Sequence, residues 1–471
     1  MRRKAACTIA IVSLLNIILL TIGFMCGDNL KCVTVLSVIQ LIVNVFAIIL
    51  INQELMLIGL VFLLLTYLFN FGQSIITTFG FNDIYAHRNV LSQVVLSDYI
   101  SAELFAMTSM FAITWGYLFV CGRNKRGNER RKGLKYSDEN LLGIRHDAIL
   151  IFMIALLPMV YLDVLKIAAY LSGGYMSTYL TYQNGIAKYL SLIAQFGKPA
   201  ISVLLYAYSS KPKVARNILI VSTLYLLVMM ISGDRGSNVI YIITHFFIYY
   251  SFVKELKLRH VLGGALAAFG GLFALSVISI LRDYELSVET LKMAMEWRAG
   301  DGVIYATLRE FGGSVLSLVH AIDYIPEYSD YNYGMTYLAG IFSILPAIPD
   351  SLALSLEKST SFVRAFPTSA AGYTSLGGSY LGELYFNFGW FGSIVAVLIG
   401  CFLGKMDTLF VTISRPKWTA VMIVLMPSLI LWTRDFFSGL IFKTFWFGFF
   451  ILCFRVARKR TEIRKQSPFN S

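Results

Sequence analysis

Charge is scarce in this chain. Only 14% of its 471 residues are Asp, Glu, Lys or Arg, against 57% that are hydrophobic. A water-soluble chain of this length needs far more charge to cover its surface, so a soluble enzyme or binding domain is excluded. Acidic side chains are the scarcer sign, 27 against 40 basic ones, for a net charge of +13. The basic residues sit in short clusters between apolar runs, not on a soluble face, so no nucleic-acid partner is expected. The six cysteines (Cys7, Cys26, Cys32, Cys121, Cys401 and Cys453) form no Cys-x-x-Cys pair and have no His/Cys ligand spacing. Cys26 and Cys32 flank a short connection where they could pair; two separate membrane-end thiols are the expectation. Walker A, His-Glu-x-x-His, Gly-x-Ser-x-Gly and Asp-x-Asp motifs are all missing, Asp283-x-Glu285 being the nearest to the last. No metal ion or other cofactor is therefore expected.

What the chain has is a succession of apolar runs long enough to cross a bilayer. Windows of about 20 residues place roughly twelve spans near 5–25, 33–52, 54–72, 100–121, 147–165, 189–208, 217–232, 238–253, 261–280, 380–404, 418–433 and 437–455. The first begins after Arg2, Arg3 and Lys4 like a signal peptide. It is long enough to span, and no small-x-small cleavage site precedes the next run, so it reads as retained. The expected fold is an all-α, polytopic helical bundle. Residues 1–280 hold spans one to nine, 281–379 a large loop with interfacial helices, 380–456 the last three spans, and 457–471 a basic tail.

The positive-inside bias orients the bundle. With the N-terminus inside, the segments 122–146, 209–216, 254–260, 405–417 and the tail are cytoplasmic, and they carry most of the Lys and Arg. Both termini are then cytoplasmic and 281–379 faces outward, as expected of a multi-pass protein of a bacterial inner membrane. The long segment holds apolar stretches at 303–322 and 338–354, four prolines and paired glycines. It reads as a folded cap lying on the membrane and partly re-entrant. Two true spans are the alternative, opposed by the mid-segment Arg309, Glu310 and Pro346.

Charges that orientation does not explain are the candidates for chemistry. Arg235 lies in Ser232-Gly-Asp-Arg-Gly-Ser237, a turn between two spans. It suits either a local ion pair with Asp234 or an anion clamp, because a guanidinium fork matches phosphate oxygens. Arg282 and Arg298 follow in the large loop. Arg309-Glu-Phe-Gly-Gly-Ser314 then places Arg309 beside Glu310, either as an interfacial ion pair or as a phosphate-binding arginine next to a general base. Lys198 falls inside a span, where an ionisable group is a functional suspect or a hydrated structural lysine. His320 is a possible base, though a lone histidine on an apolar helix is commonly structural. Glu383 and Tyr380 belong to a run from Gly377 to Gly392 that combines a carboxylate, an aromatic belt and close-packing glycines.

Taken in order, two of these segments resemble the O-antigen ligase and polymerase superfamily. Ser232–Ser237 is similar to its Ser/Arg/Gly turn, and Gly378–Gly392 to the Tyr-Leu…Glu-x-Gly-x-x-Gly segment that follows its large outer loop. Arg309-Glu-Phe-Gly-Gly313 looks like the repeat-unit polymerases (Wzy type) in particular. The layout matches over most of the chain, the motifs over about forty residues. The resemblance implies a metal-independent glycosyltransferase of the outer leaflet that joins undecaprenyl-diphosphate-linked oligosaccharide repeat units. Arginines (Arg235 with Arg282, Arg298 or Arg309) would hold the diphosphate. Glu383, Tyr380 and His320 would serve the acceptor or loop closure. Membrane lipid, a chain-length regulator and a flippase would be partners. Where ligases carry His-Asn before Tyr-Leu, this chain has Gly378-Ser379, so the base is not carried over; chemistry favours Glu310. A ligase, differing only in acceptor, and a lipid-linked oligosaccharide flippase are the alternatives. A flippase would leave the large cap unexplained, since transporters commonly bind at the midplane between repeats.

Overall fold

The structure is a computed structural model that describes residues 2–80, 91, 94–123, 138–180, 186–230, 235–256, 263, 271, 277, 287–301, 303–342, 344–345, 378–412 and 416–466. The described residues are helical throughout their ordered elements, with no strand among them. Nine of the described helical segments are long and apolar enough to cross a membrane, and Ser438–Phe454 is a shorter apolar helix. The all-α polytopic bundle is therefore as expected. The expected ninth span, 261–280, lies outside the described residues but for Gly263, Gly271 and Val277.

Four helices open the chain: α1 (Arg2–Met25), α2 (Leu30–Asn52), α3 (Ile58–Phe79) and α4 (Leu96–Arg123). Apolar attraction does not join helices inside lipid, so close packing and polar side chains do. Gln40 of α2 donates to Asn16 of α1 (2.9 Å) and to the Met107 carbonyl of α4 (3.0 Å), and Asn16 donates to Asn44 (2.9 Å). Contrary to the expectation of separate thiols, Cys26 and Cys32 are disulfide-bonded across the α1–α2 turn, their Cα atoms 6.3 Å apart. Asn29, which caps α2 by accepting the Cys32 N–H (3.1 Å), brings the second cysteine back toward the first.

The chain continues through α5 (Asp138–Leu180), α6 (Ile186–Ala194), α7 (Gly197–Ala207), α8 (Pro212–Met229) and α9 (Arg235–Ile248), the last extended by a π-turn at Tyr249–Val253. Lys198, the suspect within a span, donates to Asn238 of α9 (2.7 Å), so its charge has a polar partner there. At the start of α5, Asp138 accepts from Arg145 and Ser210 (both 2.7 Å). Those donors hold its carboxyl below the usual range.

Three helices follow the large segment: α14 (Tyr380–Phe388), α15 (Gly392–Thr412) and α16 (Pro416–Leu431), and then α17 (Ser438–Gln466); the four short helices between are described below. The most extensive helix pair is α4 with α15. Their backbones approach so closely that a methyl group added at Gly116 or Gly400 would overlap the facing carbonyls of Val397 and Ile113. Two turns beyond Gly400 along α15, Asp407 caps α3 from across the bundle: its carboxylate accepts the N–H groups of Ile58 (2.8 Å) and Gly59 (2.9 Å) and the hydroxyl of Tyr117 (2.9 Å). The two N–H groups are orphan donors of a helix whose own preceding residue, Leu57, offers no cap.

Candidate functional site

The described part of the large segment forms short helices: α10 (Val288–Asp301), α11 (Val303–Gly312), α12 (Leu316–Tyr324) and α13 (Met335–Phe342). The apolar stretch at 303–322 is not one continuous α-helix. A 3-10 turn at Gly313–Val315 joins α-helical pieces of 10 and 9 residues. Helix α11 packs on the second half of α3, where Gly72 and Gly312 lie almost backbone to backbone, and α12 packs on α4 and α14. Helix α13 exposes Met335, Leu338, Ile341 and Phe342, an apolar face at helical spacing of the kind that lies in a membrane interface. Pro346 onward, through Gly377, lies outside the described residues.

This cap gathers residues on one face of α3. Thr66, Phe69 and Gln73 recur at helical spacing, so they line a single stripe. Thr66 shares a hydrogen bond with the Tyr380 hydroxyl (3.0 Å), Phe69 lies under the Arg434 guanidinium (5.6 Å to the ring centre), and Gln73 donates to the Arg309 carbonyl (2.7 Å). Phe311 of α11 meets Phe69 edge-on at 5.7 Å. Seven residues of helix rise about 10 Å, so Tyr380, Arg434 and Arg309 meet the helix within one short band. The Arg309 guanidinium lies 5.6 Å from the centre of the Tyr305 ring.

Beside this stripe lies Glu383. It is 2% exposed and accepts the Phe437 N–H through Oε2 (2.9 Å), which ties α14 to the 435–437 turn. Ser379 caps α14 by accepting the Gly382 N–H (3.2 Å), and Asn387 reaches from its far end to Thr336 (2.8 Å) and the Gly334 N–H (2.9 Å). The 332–334 corner of the cap is thus fixed to α14. Asp435, next to Arg434, is half-buried, and burial pushes its carboxyl above the usual range while Lys443 and Arg434 oppose. His320, half-buried on α12, is pushed below the ordinary imidazole value by burial, with Asp323 acting the other way.

The candidates read from the sequence divide into two groups. Arg309, Glu383, Tyr380 and His320 come to the same end of the bundle, the first three around α3 and α14. Arg235 opens α9, Arg298 lies in α10 and Glu310 follows Arg309 in α11, but their side chains lie outside the described residues, as does Arg282 entirely. Arg434 and Asp435 were not foreseen. The signal was there: Trp432-Thr-Arg-Asp435 places an arginine in a short connection between two spans, the reasoning that singled out Arg235. Among the described residues no group of His, Cys, Asp and Glu is arranged to hold a metal ion.

The described residues thus form an all-α polytopic membrane bundle that brings Arg309, Arg434 and the buried Glu383 to one end. Residues 8–461 match the family O-antigen polysaccharide polymerase Wzy. The chain belongs to that family, as its motifs led one to expect, and is a membrane polysaccharide polymerase by that membership. No curated protein and no solved structure matches it significantly.

Proposed function

We propose that the chain extends a polysaccharide at the outer leaflet by joining undecaprenyl-diphosphate-linked repeat units at the cap end of the bundle. The acceptor is a hydroxyl of a fresh lipid-linked unit. Its oxygen attacks the anomeric carbon of the growing chain, the bond from that carbon to the diphosphate oxygen breaks, and undecaprenyl diphosphate leaves. The hydroxyl proton passes to a carboxylate.

Supporting this reading is the Arg434 guanidinium on one stripe of α3 beside the buried Glu383, with the backbone of Arg309 held to the same stripe and its guanidinium near Tyr305. A leaving diphosphate gathers negative charge as its bond breaks, and fixed guanidiniums stabilise that charge without having to reorganise. Arg235, Arg282 and Arg298 are assigned to the same anion, and Tyr380, Glu383 and His320 to acceptor placement. Glu310 is assigned the base, because it follows Arg309 on a helix packed against the stripe. The Cys26–Cys32 disulfide lies in the first connection that the charge bias places outside, and it fits an oxidising compartment.

The test uses purified protein, synthetic lipid-linked repeat units and no added metal, with products resolved by length. Wild-type protein should build a ladder. Glu310→Gln keeps size and most hydrogen-bonding capacity but cannot take the proton, so transfer should fall by roughly 10²–10⁴. Undiminished ladders from Glu310→Gln move the base to Glu383 or His320. No ladder from wild-type protein, with or without divalent cations, rejects the reading.

A further inference from the structure

An apolar cavity of about 940 Å³ lies between α15, α16 and α17, with α13 and α14 at its cap end. We propose that it is the slot for the polyprenyl tail of the lipid-diphosphate substrate, entered with the diphosphate at the cap end. This rests on the polymerase reading above for the identity of the substrate and adds where its tail lies.

Position is the first argument. Tyr337, Trp432 and Phe437 line one end of the cavity. The same three residues border the site: Phe437 donates its N–H to Glu383, Trp432 packs against Tyr380 at 5.6 Å, and Tyr337 meets Phe437 edge-on at 5.1 Å. From there the lining runs along α17 from Leu440 to Leu452, about 18 Å at the helical rise. The cavity therefore leads from the polar site into the depth of the membrane, more than half of a hydrocarbon core about 30 Å thick.

Chemistry is the second argument. Membrane helices dock through small residues and interhelical hydrogen bonds. Here a single glycine, Gly448, and one polar side chain of small size, Thr444, interrupt a lining that is branched aliphatic and aromatic apart from Lys417 at the start of α16, the end away from the cap. Such walls suit a flexible hydrocarbon chain better than a partner helix. At the cap end, the Tyr337 hydroxyl is buried and has no hydrogen-bond partner among the described residues. A buried donor without a partner is costly, and a diphosphate oxygen at the mouth would supply one.

The experiment has two arms, both on full-length protein in nanodiscs. In the first, a photoreactive polyprenyl diphosphate is cross-linked and the labelled peptides are mapped. Labelling within 395–402, 417–425 and 440–452, displaced by unlabelled polyprenyl diphosphate but not by excess phospholipid, is expected. Labelling elsewhere, or equal displacement by phospholipid, overturns the slot even if polymerisation proceeds. The second arm compares repeat units carrying the full-length tail with ones carrying a short prenyl chain. Gly448→Phe and Val421→Trp should each lower the long-over-short ratio of kcat/KM at least tenfold. An unaltered ratio in both, with labelling undiminished, also overturns it. Labelling of the three segments by a protein that builds no polymer would uphold the slot and reject the polymerase reading instead.

Discussion

The guanidinium of Arg434 lies 5.6 Å from the centre of the Phe69 ring, one helical turn along α3 from the threonine that meets the Tyr380 hydroxyl. Cation and ring at this distance attract, by about 0.5–2 kcal/mol depending on hydration, and the contact fixes the arginine's direction between the cap and α14. If Arg434 stabilises the departing diphosphate, Arg434→Ala should lower elongation by roughly 10²–10³. Arg434→Lys should recover little, since a point ammonium can neither stack nor fork. Phe69→Leu, which leaves the charge but removes the ring, should cost less than either. In vitro ladders from the three variants give the order; equal activity of Arg434→Ala and wild type removes Arg434 from the site.

Arg235 is the corresponding expectation from the sequence. Arg235→Ala should abolish polymer in cells while the protein still accumulates in the membrane, and Arg235→Lys should rescue poorly. Normal chain-length distributions from both variants exclude a clamp at this position.

Much of the architecture was legible in the sequence because lipid imposes so simple a pattern. The runs at 5–25 and 33–52 coincide with α1 and most of α2. The third span slid: the apolar window 54–72 precedes the observed Ile58–Phe79. Two tertiary effects move it. Asp407, remote in sequence, terminates the helix at Ile58, and the polar Thr66, Asn70, Gln73 and Ser74 are all buried in its second half. A hydropathy window counts those four against a span, whereas the fold partners Thr66 with Tyr380 and Gln73 with the Arg309 carbonyl. Arg434 was overlooked for a related reason. Its place in a short connection between two spans could have singled it out, but its contact with Phe69 could not be read, since no spacing rule links residues so far apart. Tyr380 and Glu383 could be found because the aromatic and glycine pattern around them is local.

The Asp407 cap makes a stability prediction independent of chemistry. Asp407→Ala strands two buried helix N–H groups and the Tyr117 hydroxyl, at a cost of roughly 2 kcal/mol or more. Asp407→Asn keeps an acceptor and should lose less. Both should read out as lowered Tm in detergent, with Ala below Asn below wild type. Gly400→Leu should be more severe, as it drives a side chain into the Ile113 carbonyl at the tightest helix crossing; no folded protein is expected. Unchanged Tm for Asp407→Ala would show that α3 is held by packing alone.

At the other end of the scale, the exposed Asp138 gives a pH prediction. Its carboxyl is held below the usual range chiefly by hydrogen bonds from Arg145 and Ser210. The folded state therefore binds this proton less readily than the unfolded one. The stabilisation is fully present above the ordinary carboxylate value of about 4 and is lost as pH falls below it. Tm measured from pH 6 downward should fall more steeply for wild type than for Asp138→Asn; parallel curves would leave Asp138 without a role in acid stability.

Orientation is the prediction on which the chemistry depends, because undecaprenyl-linked units polymerised outside require the cap outside. The bias of Lys and Arg places 122–146 inside and 281–379 outside. Asp330, exposed on the cap after α12, is a suitable reporter. Cys7, Cys121, Cys401 and Cys453 are free and must first be replaced, while Cys26 and Cys32, being paired, should stay silent. In that background Asp330→Cys should react in intact cells with a membrane-impermeant thiol reagent, and a cysteine introduced in 124–135 should react only after lysis. Reducing intact cells with an impermeant phosphine should expose two further thiols at Cys26 and Cys32, since their turn lies on the face assigned to the outside. Labelling of position 330 only after lysis would invert the bundle, put the arginine stripe on the cytoplasmic side and remove the basis for outer-leaflet polymerisation.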